Sequence, residues 1–121
     1  MKTTAGTLLV LTGAVSAGVH AGLAPEHLHE WLPLGASFVA AAVAAALAVA
    51  ALVLRPASPW PPRALGALLG GLVVAYALTR LAALPPLDPE RESLDVVGVC
   101  TVAIEALGVA AAVRLTPGGT S

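Results

Sequence analysis

The chain has 121 residues, of which 58% are hydrophobic, 11% charged and 3% aromatic, and its mean hydropathy is +0.90. Average soluble domains are about half apolar and about a quarter charged, so this composition excludes an ordinary soluble domain and indicates a membrane protein. Six basic and seven acidic residues give a net charge of -1, which leaves no basic surface for a nucleic acid.

Four segments are long and apolar enough to cross a membrane as helices. A helix rises about 1.5 Å per residue, so about 20 residues span about 30 Å of hydrocarbon. The predicted spans are residues 4–23, 32–54, 64–84 and 94–113. The sequence therefore predicts an all-α, four-helix transmembrane bundle, multi-pass in the cell (inner or plasma) membrane and surrounded by membrane lipids.

Short connections at 24–31, 55–63 and 85–92 join these spans and hold most of the prolines, as expected because proline disrupts helix interiors. Residues 1–115 are predicted to form one domain and 116–121 a polar tail. Basic residues in short loops favour the cytoplasmic side, and the basic residues near the predicted inner ends are Lys2, Arg55, Arg63 and Arg114. Both termini are therefore predicted to be cytoplasmic.

The first span has a second interpretation, because Lys2, the apolar stretch 7–15 and the small residues 16–18 are typical of a cleaved signal peptide. The apolar stretch continues through Gly22, which favours an uncleaved span.

Polar groups within the predicted spans fall in layers that narrow towards one glutamate. Counted from the outer surface at about 1.5 Å per residue, His20, Arg80 and Asp95 share the outermost layer. The next layer, at about 8–12 Å, contains Ser16, Ser37, Tyr76 and Thr101, and the deepest, at about 16 Å, contains Thr12 and Glu105. All of these groups are predicted to lie in the outer half of the membrane.

Small residues predict where the helices pack closely. Gly98, Thr101, Glu105, Gly108 and Ala112 recur every three or four residues and share one face of the last span. Pairs with GxxxG spacing, at residues 18–22 and 66–70, predict close approach on the first and third spans.

Glu105 requires an explanation, since an ionisable group at the centre of a span costs about 2.5–3.5 kcal/mol. It either locks helix packing, protonated or hydrogen-bonded to Thr12 or Tyr76, or serves as a proton or cation site reached from outside. Contact with a partner subunit is a third option. Arg80 is expected to reach the surface or to pair with Asp95 or Glu30, unless it binds an anionic headgroup or substrate.

A metal site is the interpretation considered for His20, His27 and Glu30, with zinc or copper as the candidate divalent ion. Pro25 is expected to interrupt the helix between the two histidines, which leaves their relative orientation open. The alternative is that these groups are solvated loop residues. Bis-histidine haem ligation is disfavoured, because all three histidines lie in one corner of the bundle.

Sequence motifs of enzymes are absent: the chain has no nucleophile elbow, P-loop or dinucleotide fingerprint. Cys100, the only cysteine, lies inside a span and is expected to serve packing. We therefore expect a protein that is not an enzyme.

The stretch 19–31, together with Gly35, Phe38, residues 78–80, Asp95 and Glu105, resembles small four-span integral membrane proteins of high-GC bacteria. That resemblance implies a four-helix membrane fold and no established activity. In size the chain also resembles small multidrug-resistance transporters, which carry their key glutamate in helix 1, whereas the predicted first span has none.

Together these features predict an accessory or ligand-binding membrane subunit whose polar cluster binds a metal ion, a proton or a partner. The cluster comprises His20, His27, Glu30, Arg80, Asp95 and Glu105. The alternative is a small proton- or cation-coupled transporter that acts through Glu105. We expect either a homo-oligomer or a subunit of a larger membrane complex.

Overall fold

The computed structural model describes residues 3–83, 85–86, 92 and 94–115. It is all-helical over the described part of the chain, with α1 at Thr4–Glu30, α2 at Leu32–Leu54, α3 at Trp60–Leu81 and α4 at Val96–Leu115. Each helix is long and apolar enough to span a membrane. Lys2, most of the predicted 85–92 connection and the polar tail lie outside the described residues, and the cytoplasmic position of the termini stays a prediction.

The helices form a ring in which neighbours in sequence are neighbours in space. α1 packs against α2 and α4, and α3 packs against the same two helices, with only a small α1–α3 interface. A single residue, Trp31, separates α1 from α2. Its indole Nε1 donates a hydrogen bond to the carbonyl of Pro86 at 2.6 Å. This bond ties the α1–α2 corner to the α3–α4 connection, and we call this side of the bundle the Trp31 end.

Helix ends follow the expected local chemistry. The Thr3 hydroxyl accepts a hydrogen bond from Gly6 N at 3.0 Å and caps α1. Prolines lie in the first turns of α2 and α3, where their missing N–H costs no helical hydrogen bond. At the start of α4, the Asp95 carboxylate accepts from Gly98 N at 3.1 Å.

α1 is longer than the sequence predicted, because it continues through Pro25 to Glu30 instead of ending near residue 23. Proline removes one helical hydrogen bond, here near the end of the helix. Packing holds the final turn in place: a Cβ on buried Gly35 of α2 would collide with the backbone of Leu28. The predicted connection at 24–31 is therefore wrong, since most of it is the last two turns of α1.

Buried apolar side chains concentrate in the half of the bundle away from the Trp31 end. This apolar half is a cluster of Leu9, Ala48, Leu52, Leu65, Leu69, Ala111 and Ala112. A Cβ on Gly66 would lie 2.6 Å from Ala112 Cβ, so the close approach predicted for residues 66–70 is confirmed at the α3–α4 interface.

The same prediction for Gly18 and Gly22 is wrong, because a Cβ added at either position meets nothing within 4 Å. Helical phase gives the reason. His20 is two residues from each glycine, which corresponds to about 200° around the helix. Because His20 faces α2, the two glycines face away from the bundle.

Candidate ligand cavity at the Trp31 end

Glu105 lies on the buried face of α4, as its spacing from Thr101, Gly108 and Ala112 predicted. The residue is only 2% exposed. Its carboxylate Oε2 accepts a hydrogen bond at 2.6 Å from the hydroxyl of Ser16, a fully buried residue of α1. A short bond to a carboxylate is among the stronger hydrogen bonds in proteins, so α1 and α4 are joined by a polar contact inside the bundle.

The hydrogen-bond partners predicted for Glu105, Thr12 and Tyr76, are both wrong. Thr12 lies one turn further into the bundle, opposite Gly108, and its hydroxyl donates to the carbonyl of Leu9 at 3.2 Å. The Tyr76 hydroxyl is buried and has no hydrogen-bond partner among the described residues. Ser16 belongs to the predicted second polar layer, and depth counting does not identify it as a partner of Glu105.

His20 extends this polar contact towards the Trp31 end. Its Nδ1 lies 2.8 Å from the carbonyl oxygen of Ser16 and 3.4 Å from the Ser16 hydroxyl. A carbonyl only accepts hydrogen bonds, so the imidazole proton is assigned to Nδ1. His20, Ser16 and Glu105 therefore form one connected set, the His20–Ser16–Glu105 cluster. The spacing of Ser16 and His20, four residues apart on one helix face, is the sequence signal for it.

His20 and His27 of α1 face the same way because Pro25 does not end the helix. His20 and His27 both contact the ring of Phe38 on α2, with ring centroids 5.1 Å and 4.2 Å apart. Nδ1 of His27 lies 3.6 Å from Glu30 Oε1, too far for a hydrogen bond. Both imidazoles therefore pack against one aromatic ring of α2.

The predicted metal ligands His20, His27 and Glu30 line one cavity. Within the part of the chain that the structure describes, no three His, Cys, Asp or Glu side chains are grouped so that they could hold a metal ion. Zinc or copper binding at these residues stays a prediction.

Arg80 pairs with Asp95, the first of its two predicted partners. Its Nη2 lies 3.3 Å from Asp95 Oδ1, and its Nη1 donates to the Thr79 hydroxyl at 2.8 Å. The guanidinium carbon lies 3.7 Å from the centroid of the Tyr76 ring. Nε of Arg80 is buried without a hydrogen-bond partner in the described residues. The cation is thus held on α3 by an aromatic face and a carboxylate.

A cavity of about 400 Å³ connects these groups. All four helices contribute to its wall, which combines charged and polar side chains with aliphatic and aromatic ones. Of the predicted site residues, the wall includes His20, His27, Glu30, Tyr76, Arg80, Asp95 and Glu105, and it does not include Thr12. The carboxyls of Glu26 and Glu92 and the ring of Phe38 also line the cavity, and the sequence did not single these three out as site residues.

Comparisons with known proteins give no matching family model, no matching curated protein and no matching solved structure. The functional assignment of the chain therefore depends on the geometry of this cavity.

Proposed function

We propose that this chain is a non-enzymatic, ligand-binding membrane protein whose cavity holds a proton or a cation at Glu105. One observation carries the proposal: a carboxyl group that is 2% exposed inside a candidate membrane span borders a cavity of about 400 Å³. An ionisable group in this position is costly. Cavities of this size are typical of ligand sites.

The contacts of Glu105 support binding over a purely structural role. Its one hydrogen bond to a described residue comes from Ser16 at 2.6 Å. A carboxylate has about four lone-pair positions, so one donor leaves acceptor capacity. That capacity is available to a proton or a cation that enters the cavity.

Proton binding is tested by infrared spectroscopy of the purified protein in detergent. Titration should reveal a carbonyl band of a protonated carboxyl whose intensity follows pH. The Glu105→Gln variant should lack this band, because glutamine has the same shape and cannot ionise. A difference spectrum between the wild type and Glu105→Gln that does not change between acidic and alkaline pH would contradict proton exchange at Glu105.

Metal binding is tested on the same sample by elemental analysis after incubation with zinc or copper. A stoichiometric metal that is lost in His27→Ala and Glu30→Ala would support the metal form of the proposal. Native mass spectrometry of the same preparation tests whether the chain is a homo-oligomer or an accessory subunit of a larger complex.

Transport through Glu105 is the second candidate function, and it requires more than this cavity. The cavity wall lies at the Trp31 end, and the apolar half closes the other end of a single copy. A transporter would therefore need an oligomer or a second conformation. Flux of protons or cations into liposomes that Glu105→Gln abolishes would favour this candidate.

A further inference from the structure

We propose that the cavity takes a small organic cation, a positively charged nitrogen carried on an apolar body. This inference rests on the proposed function and narrows its ligand. Three properties of the cavity support it: the sign of the charge on its wall, its size relative to a bare ion, and the apolar and aromatic surface around the charged groups.

The charged groups of the cavity wall favour a cation. Five carboxyl groups and one guanidinium among the described residues line it, together with the imidazoles of His20 and His27. That guanidinium, on Arg80, already pairs with Asp95. The other carboxyls of the wall include that of Glu105, whose one described hydrogen-bond donor is the hydroxyl of Ser16. Clefts lined by one sign of charge concentrate ligands of the opposite sign.

The volume and the arrangement of ligand atoms disfavour a bare inorganic ion as the occupant. A divalent cation needs several oxygen or nitrogen ligands at about 2.0–2.6 Å. No such group of three His, Cys, Asp or Glu side chains forms among the described residues, whereas the cavity measures about 400 Å³. An organic cation fills such a space with its own apolar atoms.

The rest of the wall matches an apolar body. Aliphatic side chains come from every helix, among them Val19 on α1, Leu34 on α2, Leu72 on α3 and Val102 on α4. They share this wall with Glu105. A ligand that joins one positive charge to an apolar surface satisfies both parts of this wall.

Aromatic rings also form part of the cavity wall. Phe38 and Tyr76 both lie in the wall. The Tyr76 ring already contacts a cation, the Arg80 guanidinium at 3.7 Å from its centroid, as expected from the negative potential of an aromatic face. The buried Tyr76 hydroxyl, which has no partner among the described residues, is an additional polar group at the same site.

The test compares choline with 3,3-dimethylbutan-1-ol, in which carbon replaces the charged nitrogen and the shape is kept. Titration calorimetry of the protein in maltoside detergent should show choline binding at least about tenfold more tightly than the neutral alcohol. Glu105→Gln should abolish this preference, and Glu105→Asp should retain most of it. Cys100→Ser, an exposed position on α4, is the control and should bind like the wild type.

Ala75→Trp provides a second variant that leaves every charge in place. Ala75 lines the cavity, and an indole there should obstruct it and reduce choline binding at least about tenfold. Equal binding of choline and the alcohol would show apolar filling alone and overturn the inference. Choline binding that both Glu105→Gln and Ala75→Trp leave unchanged would also overturn it.

The infrared titration of Glu105 separates this inference from the proposed function. If the carbonyl band follows pH and choline does not bind, the ligand class is wrong and the proposed proton site stands. If the band is insensitive to pH and neither choline nor a metal ion binds, the inference and the proposed function both fail.

Discussion

The two ends of this bundle are built on different principles although the same four helices form both. In the apolar half, leucine and alanine side chains fill the space between helices and small residues bring backbones together. At the Trp31 end, the helices surround a cavity of about 400 Å³ lined by charged and aromatic groups. The comparison suggests that the apolar half supplies the stability that allows the other end to remain open around a buried carboxyl.

The largest effect is expected from truncating the core of the apolar half. Leu65 is fully buried in that cluster, and Leu65→Ala should lower the free energy of unfolding by about 2 kcal/mol, the low end of the range for such truncations. The low end applies because the unfolded helices also lie in an apolar solvent, so mainly packing is lost. Unfolding in sodium dodecyl sulfate, followed by circular dichroism, measures this change.

Leu54→Ala is the matched control, since Leu54 is 77% exposed and its truncation removes little packing. Choline binding should be the same in Leu65→Ala and the wild type. A loss of choline binding in Leu65→Ala would contradict the assignment of stability to the apolar half and of ligand binding to the Trp31 end.

A second test fills space where two helices touch. Gly66→Ala would place a methyl group 2.6 Å from Ala112 Cβ. Since Ala112 Cβ is bonded directly to its backbone, it cannot rotate away and α3 must move from α4. Overpacking of this kind costs about 1–3 kcal/mol, and detergent unfolding again measures it.

Gly18→Ala makes the same chemical change on a surface with nothing within 4 Å. It should be neutral or stabilising by up to about 1 kcal/mol, because alanine is the better helix former. Equal destabilisation by both variants would show that Gly66 is not at a close helix contact.

The fold was largely predictable from the sequence because hydrophobic length is a strong signal. Span two follows from composition with the predicted bounds, and the buried face of α4 follows from a three-to-four residue spacing. The predicted bounds of span three, 64–84, are wrong, because α3 begins at Trp60 with prolines in its first turn and ends at Leu81. The end of α1 did not follow, since a proline near a helix end is tolerated when tertiary packing, here Leu28 against Gly35, holds the final turn.

The candidate site was predictable as a set of residues but not as a set of contacts. Depth counting placed Glu105, His20 and Arg80 in one half of the bundle, and the structure lines one cavity with all three. Depth counting does not identify the hydrogen bond from Ser16 to Glu105, because depth alone does not give the rotation of α1 relative to α4. The GxxxG pair at residues 18–22 failed for the same reason.

The hydrogen bond from Ser16 to Glu105 is expected to stabilise the Trp31 end less than core packing stabilises the apolar half. Ser16→Ala removes the one described donor to a buried carboxyl group and should cost about 1–2 kcal/mol in detergent unfolding. Ser37→Ala is the control, because the Ser37 hydroxyl donates only to the carbonyl of Leu34 in its own helix. A similar loss of unfolding free energy in Ser16→Ala and Ser37→Ala would show that the bond to Glu105 stabilises the protein no more than a hydrogen bond within one helix.

The smallest effects on the free energy of unfolding are expected at Asp95. Its carboxylate has two roles, which the variants Asp95→Asn and Asp95→Ala separate. Asp95 accepts from Gly98 N, which caps α4, and it pairs with Arg80 while 51% exposed. Asp95→Asn keeps a capping oxygen and loses the charge, so it should cost less than about 1 kcal/mol, as for other exposed ion pairs. Asp95→Ala loses the cap as well, which adds about 1 kcal/mol.

Salt distinguishes the two roles of Asp95, because screening weakens an exposed ion pair and leaves a helix cap unchanged. In detergent unfolding, the difference in unfolding free energy between wild type and Asp95→Asn should disappear at high sodium chloride. The difference between Asp95→Asn and Asp95→Ala should persist. If Asp95→Asn instead costs as much as Asp95→Ala, the Arg80 pair and not the cap holds the start of α4. The charged wall of the cavity would then contribute to stability, and the contrast between the two ends would be smaller than proposed.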